Sequence, residues 1–206
     1  VSAATTIHSG FEIDDHDFAT ILIRDSDKRI MVFYTGHLNA GFFYRVSTNP
    51  EDISAFNAQV NIDSTIGADA YTYAEPFQLT AVANDPIYFF TRNHASAAPD
   101  YPEWLLSQSA DDGATWQAKT VFYKSANKSA YLKVVQNGGD RYDIVATEHP
   151  FYEISSVYHW YGEASEWHKS NGDVISAAMP LGPSDVTQVY DGTTYRAWIT
   201  DIAING

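Results

Sequence analysis

The sequence predicts an all-β protein whose architecture is a β-propeller of four-stranded antiparallel blades. Three observations lead to this prediction. Short runs of β-branched and aromatic residues, separated by polar turns, occur along all 206 residues, and no segment has sustained helical periodicity. Two strand patterns alternate and recur with a period of about 50 residues. One such unit cannot bury both faces of its sheet without neighbours, which is the physical basis of a propeller blade.

The first recurring element is a hairpin that ends in a histidine. Three segments contain two β-forming runs around a polar turn: residues 20–37, 77–94 and 132–149. Their closing histidines, His37, His94 and His149, are 57 and 55 residues apart. Residues 186–201 begin a fourth copy. The hairpin is therefore an internal repeat.

The second recurring element is a strand followed by a polar turn and a closing aromatic residue. It occurs between the hairpins, at residues 42–56, 103–116 and 156–167. We therefore expect one domain over residues 1–206, with about four blades. Their approximate bounds are residues 13–70, 71–127, 128–182, and 183–206 together with the N-terminal strand. Such a chain is either a small ring closed by its N-terminal strand or part of a larger propeller.

Composition and charge exclude several classes of function. The formal net charge is −14 with 12 Lys plus Arg, so we expect no nucleic-acid partner, because phosphates require a basic face. We expect no membrane partner, because no apolar run approaches the roughly 18 residues of a membrane span. No cysteine is available for a disulfide or thiolate site. An acidic, aromatic-rich chain of this kind is typical of a secreted, extracellular or periplasmic carbohydrate-active protein, and the oligomeric state stays open.

Residues 109–116, SADDGATW, fit the pattern Ser-x-Asp-x-Gly-x-Thr-Trp at all five specified positions. This pattern resembles the Asp box of sialidase-type propellers, a hairpin in which the carboxylate and hydroxyls bond turn amides while the Trp packs between sheets. The resemblance places such turns on the outside of the propeller, away from the ligand. We therefore expect Asp111 to be structural.

The register of the repeat predicts where a functional site lies. In a propeller, the start of each innermost strand and the loop after the second strand lie on the same face. His16, Tyr73 and Lys128 each precede a closing histidine by 21 residues and share one ring of positions. A second ring holds Arg92 and the closing histidines. These groups form a basic patch in an acidic protein, which favours an anionic ligand. Tyr131 either packs in the core or stacks on a sugar.

The residue types suit proton abstraction next to a carboxylate. A cation stabilises the charge that develops when the carbon α to a uronate carboxylate loses its proton, and the planar fork of Arg92 fits a carboxylate. His16 and His37 are candidate bases, and Tyr73 is a candidate proton donor or base. Lys128 is able to bind sulfate or carboxylate. No Glu/Asp pair can be placed in the two rings, which disfavours a two-carboxylate glycosidase.

Several short segments resemble the BNR-repeat propellers that include ulvan lyases. They are DDHDFATILI (14–23), YTGH (34–37), FFYRVSTNPEDIS (42–54), TYAEPFQL (72–79) and YFFTRN (88–93). The similarity is best over residues 11–95 and continues more loosely to about 150. It implies a seven-bladed fold and a polysaccharide lyase that cleaves a uronate-containing, often sulfated algal polymer by β-elimination. The pair Ala74-Glu75 departs from the family pattern, which is expected to have Pro and a neutral polar residue there, and it puts an extra carboxylate, Glu75, near an anionic substrate.

Carried onto this sequence, the resemblance implies His16 or His37 as the base, Tyr73 as proton donor or base, and Arg92 as the group that neutralises the uronate carboxylate. We expect the substrate, an anionic polysaccharide, to be bound by four further residues: Lys128, His94, His149 and Tyr131.

Two other functions stay open from the sequence. A sialidase-type glycoside hydrolase shares this kind of propeller but needs an arginine cluster, for which only Arg45 and Arg141 could join Arg92, and a Tyr/Glu nucleophile pair. A non-catalytic glycan-binding propeller would use the aromatic residues for stacking. We expect no required cofactor and no metal in the catalytic step, although the three closing histidines could hold a structural zinc or calcium ion.

Overall fold

The computed structural model describes residues 4–17, 19–37, 39–62, 70–93, 103–125, 128–149, 151, 154–163 and 166–204. These residues form fourteen β-strands and no helix. The strands are β1 (Thr20–Ile23), β2 (Ile30–Tyr34), β3 (Asn39–Ala40), β4 (Phe43–Val46), β5 (Val60–Asn61), β6 (Ala70–Gln78), β7 (Ile87–Asn93), β8 (Glu103–Ser109), β9 (Thr120–Tyr123), β10 (Ala130–Gln136), β11 (Tyr142–Glu148), β12 (Val157–Glu163), β13 (Glu166–Lys169) and β14 (Thr187–Tyr190). The described part of the chain therefore contains no helix that could cross a membrane.

The strands form three sheets, and every strand pairing for which the register is known is antiparallel. The first sheet has the order β1-β2-β4-β5, the second β3-β6-β7-β8-β9, and the third β10-β11-β12-β13, with β14 pairing with β12. Strands that are neighbours in the chain are mostly neighbours in the sheet, because short polar turns connect them.

The chain divides into two compact units. One comprises Val1–Ala95 with Leu106–Thr120, and the other comprises Ser96–Leu105 with Val121–Gly206. The predicted site residues are distributed over both units.

Aromatic side chains form the core of the first unit. Phe42 and Phe89 have ring centroids 4.3 Å apart, and the Trp116 indole meets Phe33 edge to face, with the planes at 89°. All four rings are buried. Replacing one such ring by alanine costs about 3–5 kcal/mol of unfolding free energy, through lost transfer energy and an unfilled cavity. This core holds the hairpins that carry the first group of site residues.

The turn at residues 109–116 is held by its own side chains. Asp111 accepts a hydrogen bond from the Thr115 backbone N–H at 2.8 Å and one from its hydroxyl at 2.6 Å. These bonds hold the pKa of Asp111 below its usual range. The Ser109 hydroxyl accepts from the Gly113 N–H at 2.9 Å, and Gly113 has a φ of 86°. Asp111 is thus bound within its own turn.

The second unit has an aromatic core of its own. The Tyr123 and Trp160 rings stack with centroids 5.1 Å apart, and Phe122 lies 4.9 Å from the Trp167 ring. The Trp104 indole N–H donates to the Ala130 carbonyl at 2.9 Å, so this buried polar group is satisfied.

The structure confirms the all-β class and the three predicted hairpins, which are β1/β2, β6/β7 and β10/β11. The predicted fourth copy differs. Of residues 186–201, only β14 forms a strand, and it joins the third sheet by pairing with β12. A strand needs a neighbour for its backbone groups, and β12 supplies that neighbour here. The closed ring of blades and the blade bounds stay predictions.

Candidate active site

Asp14 connects the two histidines that begin the predicted site. The His16 backbone N–H donates to Asp14 Oδ1 at 2.8 Å, and His16 Nδ1 lies 2.6 Å from the same oxygen. His37 Nδ1 lies 2.9 Å from Asp14 Oδ2. His16 precedes β1 and His37 follows β2, and these strands pair antiparallel, so both histidines lie at the same end of one hairpin.

The hydrogen bonds at Asp14 determine how the two imidazoles can act. The bond from the His16 backbone N–H, followed by those from the two imidazoles, holds the pKa of Asp14 well below its usual range. An ionised carboxylate only accepts hydrogen bonds, so each neutral ring must carry its proton on Nδ1. The lone pair is then on Nε2. A carboxylate that orients an imidazole in this way prepares it as a proton acceptor.

The two imidazoles stack on each other and face a tyrosine. The His16 and His37 rings have centroids 4.1 Å apart and planes at 13°, and the Tyr73 ring lies 5.6 Å from His16. Each histidine side chain keeps 24% of its surface exposed. Solvent or a ligand can therefore reach these rings.

Tyr73 is directed towards the histidines by an irregularity in its strand. The pairing of β6 with β7 shifts register between Thr72 and Glu75, and Tyr73 has a φ of 67°. A left-handed conformation is uncommon for a bulky residue and costs roughly 1–3 kcal/mol, so surrounding contacts must hold it. The Thr91 hydroxyl does so by donating to the Tyr73 carbonyl at 2.9 Å. Bulges commonly redirect a side chain next to a functional site.

Arg92 lies against the face of the Tyr73 ring. It stands opposite Thr72 in the β6/β7 pairing, and its Cζ is 4.6 Å from the Tyr73 ring centroid. Arg92 is 4% exposed. The guanidinium thus has a fixed position and gives the group of histidines and tyrosine a buried positive charge.

A second carboxylate, Asp17, lies in the same segment. Both of its oxygens are shielded from solvent, and burial raises the pKa of Asp17. Together with His8, Phe11 and Tyr34, it lines a cavity of about 230 Å³. The sequence prediction gave no role to either Asp14 or Asp17. The run Asp14-Asp15-His16 was the available signal, because an Asp two residues before a histidine can accept that residue's backbone N–H.

A second group of predicted residues lies in the second unit. The Tyr131 and His149 rings are 5.5 Å apart, and each lies near Trp198, at 5.2 Å and 5.6 Å. Trp198 is 54% exposed. Lys128 donates to the Ile154 carbonyl at 2.8 Å and lies 3.8 Å from a Glu148 oxygen. The sequence prediction missed Trp198 because it lies in the incomplete fourth repeat.

The structure therefore brings His16, His37, Tyr73 and Arg92 together in the first unit. Lys128, Tyr131 and His149 lie in the second unit, where Lys128 has a carboxylate partner. His94 lies outside the described residues.

Comparison with known proteins gives a family match over nearly the whole chain. A family model described as "BNR repeat-containing family member" matches residues 2–200. No curated protein matches the sequence.

Solved structures share the fold. Two are of a polysaccharide lyase described as a PL25 ulvan lyase, one of them bound to -[GlcA(1-4)Rha3S]-. They are 21% and 20% identical to this chain, with TM-scores of 0.63 and 0.64, and each match covers 87% of this chain and 46% of the other. A third, the Hadza microbial sialidase Hz136, is 12% identical with a TM-score of 0.53, covering 75% of this chain and 37% of its own. The chain spans about half the length of the two lyases.

Proposed function

The chain belongs to the BNR repeat-containing family, and from this membership and the geometry around Asp14 we propose that it is a polysaccharide lyase. Its substrate class is a uronate-containing, sulfated, ulvan-like polymer, and the reaction is β-elimination. One observation carries the proposal: a single carboxylate orients two stacked imidazoles beside a tyrosine whose ring lies against a buried arginine. These are the groups that proton abstraction next to a carboxylate requires.

Arg92 is the group proposed to attract the uronate carboxylate. Its low exposure means that a carboxylate beside it is largely desolvated, which strengthens the attraction between the two charges. The same attraction stabilises the negative charge that develops on the carboxylate as the neighbouring carbon loses its proton.

The proton transfers follow from the two tautomers. Nε2 of His16, whose ring lies 5.6 Å from that of Tyr73, takes the proton from the carbon α to the carboxylate. The electron pair left behind forms the ring double bond as the glycosidic C–O bond breaks. The Tyr73 hydroxyl gives its proton to the departing oxygen, and the imidazolium and phenolate then exchange a proton through solvent. Tyr73 lies close enough to His16 for both to reach one sugar ring.

The aromatic group in the second unit is proposed to bind the polymer. Tyr131, His149 and Trp198 offer adjacent ring faces, and an exposed indole is a common platform for the apolar face of a sugar. Lys128 would bind a sulfate or carboxylate only in competition with Glu148. We propose that His94 also contributes to polymer binding.

The experiment that tests this proposal follows the ultraviolet absorbance of unsaturated uronate when the protein is incubated with ulvan and other uronate polymers. Tyr73→Phe keeps the ring but removes the transferable proton, so we expect kcat/KM to fall by about 10²–10⁴-fold. Tyr195→Phe is the matched control, because Tyr195 is 74% exposed and lies in the other unit. A folded protein that gives no absorbance change on any uronate polymer would exclude the lyase function for this chain.

Glycan binding without cleavage is the second candidate, favoured by the exposed aromatic group around Trp198. Polymer binding without unsaturated product would identify it. A sialidase is less well supported. Arg141 binds Asp143 through two nitrogens, at 2.9 Å and 3.1 Å, and the described contacts of Arg45 include the Asn57 carbonyl at 3.5 Å. Both side chains therefore have polar partners of their own.

A further inference from the structure

The group of Asp14, His16 and His37 has a second chemical capability that proton transfer does not use. Within the described residues, it is the one group of three or more histidine, cysteine and acidic side chains whose donor atoms all lie within 4.8 Å of one another. Two imidazole nitrogens and one carboxylate oxygen are the donor set of many zinc and other transition-metal sites.

The distances need little adjustment to admit an ion. In a tetrahedral zinc site with bonds of about 2.0–2.1 Å, neighbouring donor atoms are about 3.3 Å apart. His16 Nδ1 now lies 2.6 Å from Asp14 Oδ1, and His37 Nδ1 lies 2.9 Å from Asp14 Oδ2. Each of these two contacts would open by less than about 1 Å, and the carboxylate must turn so that one of its oxygens faces both imidazoles. The stacked rings must also tilt, because the lone pairs of two parallel imidazoles do not meet at one point.

A fourth donor lies within reach. Asp15 Oδ1 is 2.8 Å from His16 Nδ1, and its side chain is 93% exposed, so it can rotate without disturbing the core. Asp14 and Asp15 together would neutralise a divalent cation. The net charge of −14 also favours cations near the protein.

We propose that Asp14, His16 and His37 bind a divalent ion of the zinc class through the two Nδ1 atoms and a carboxylate oxygen, with Asp15 as the fourth ligand. The ion takes the place of the two Nδ1 protons. A neutral imidazole bound to a metal through Nδ1 carries its proton on Nε2. Binding thus moves the proton of each ring from Nδ1 to Nε2 and removes both Nε2 lone pairs.

This change has a consequence that rests on the proposed function. An imidazole with its proton on Nε2 cannot accept a proton there, so the metal-bound form lacks the base of the elimination reaction. Zinc is then an inhibitor of the lyase, and removing it restores activity. The ion binding itself does not depend on the enzyme being a lyase.

Zinc binding is tested first without any substrate. Calorimetric titration of the whole chain with Zn²⁺ should show one site, and His37→Gln and Asp14→Asn should each weaken it by at least about tenfold. His159→Gln is the matched control, because its Nε2 also contacts a carboxylate, Asp143, at 3.0 Å, but in the other unit. Circular dichroism of each variant checks that it is folded.

Long-range proton–nitrogen NMR spectra then report the tautomers. The metal-free protein should show His16 and His37 with the proton on Nδ1, and Zn²⁺ should move it to Nε2. Zinc binding that every variant retains, no binding by the folded wild type, or unchanged tautomers in the zinc-bound protein would each overturn the proposal.

A separate measurement distinguishes failure of this proposal from failure of the lyase function. If the protein produces unsaturated uronate, Zn²⁺ should suppress the product and a chelator should restore it. Undiminished activity with the site occupied would overturn the inhibitory role. If the protein produces none, the proposed lyase function fails, whereas titration and tautomers still decide the metal site.

Discussion

Replacing Asp14 by Asn tests the role of the shared carboxylate and identifies the base. The side chain keeps its shape, but one acceptor oxygen becomes an NH₂ donor. The His16 backbone N–H donates to Oδ1, so the amide oxygen should stay on that side. The NH₂ group then faces His37 Nδ1, which must accept a hydrogen bond and therefore lose its proton. Asp14→Asn should leave the His16 tautomer unchanged and reverse that of His37.

The size of the effect depends on which imidazole is the base. His16 would lose a charged partner but keep a neutral one, and Asp15 remains 2.8 Å from its Nδ1. If His16 is the base, as proposed, kcat/KM should fall by about tenfold, because a hydrogen bond to a charged partner is roughly twice as strong as a neutral one. If His37 is the base, the lone pair is lost from Nε2 and the fall should be about 10²–10⁴-fold.

The assay is the initial rate of unsaturated uronate formation, with the tautomers of both histidines measured by NMR on the same sample. Asp52→Asn is a matched control. Asp52 lies in an exposed turn, and hydrogen bonds from Ser54 and Asn49 lower its pKa in a similar way. The control should keep wild-type activity. An Asp14→Asn variant with wild-type activity, or with the His37 tautomer unchanged, would refute the reasoning.

Three further predictions follow from the fold and the second unit. Gly113→Ala should lower the unfolding free energy by about 1–2 kcal/mol, because Gly113 has a φ of 86° and an added Cβ would lie 2.8 Å from Met31 Cε. Urea denaturation measures this change, and an unchanged midpoint would contradict the prediction. Hydrogen bonds from Thr115 keep the pKa of Asp111 below its ordinary value of 3.8. The stabilisation of the folded protein by these bonds is therefore complete above that pH and is lost as the pH falls through the lower pKa of the folded state. Asp111→Asn should therefore flatten the decline in unfolding free energy in acid, and an equally steep decline would be the contrary result. Trp198→Ala should weaken polymer binding, measured by affinity electrophoresis, by about tenfold and leave the melting temperature little changed. If the migration of the variant equals that of the wild type, Trp198 is not part of the binding surface.

Much of the fold and part of the site could be predicted from the sequence. The hairpins follow from β-forming runs around polar turns. The repeat register also placed His16 and Tyr73 at equivalent positions, and the structure puts their rings 5.6 Å apart. The same register placed Lys128 in the third equivalent position, but there it lies beside Glu148. A repeat fixes the position of a residue along a strand and leaves the direction and partners of its side chain to local contacts.

The features of the site around Asp14 that the sequence did not predict depend on backbone geometry and on contacts between strands. Tyr73 lies within β6, and a register shift directs its side chain. A shift of this kind depends on how β6 pairs with β7, so it cannot be predicted from the residues of β6 alone. Asp14 acts through a bond to a backbone N–H two residues later and through contact with His37, 23 residues away in sequence. The first contact is local, whereas the second exists only once the hairpin has formed.

The shared carboxylate makes two uses of the site mutually exclusive. Proton acceptance at Nε2 requires Nδ1–H to donate to Asp14, and metal binding at Nδ1 requires that proton to leave. Both imidazoles depend on one carboxylate, so an ion between them changes both tautomers in one step. Substituting either histidine alone should therefore weaken zinc binding. Elimination should be abolished only when the substituted histidine is the base. Comparing His16→Gln with His37→Gln in both assays separates the two roles, and equal loss of elimination in both variants would show that the two rings act as one unit.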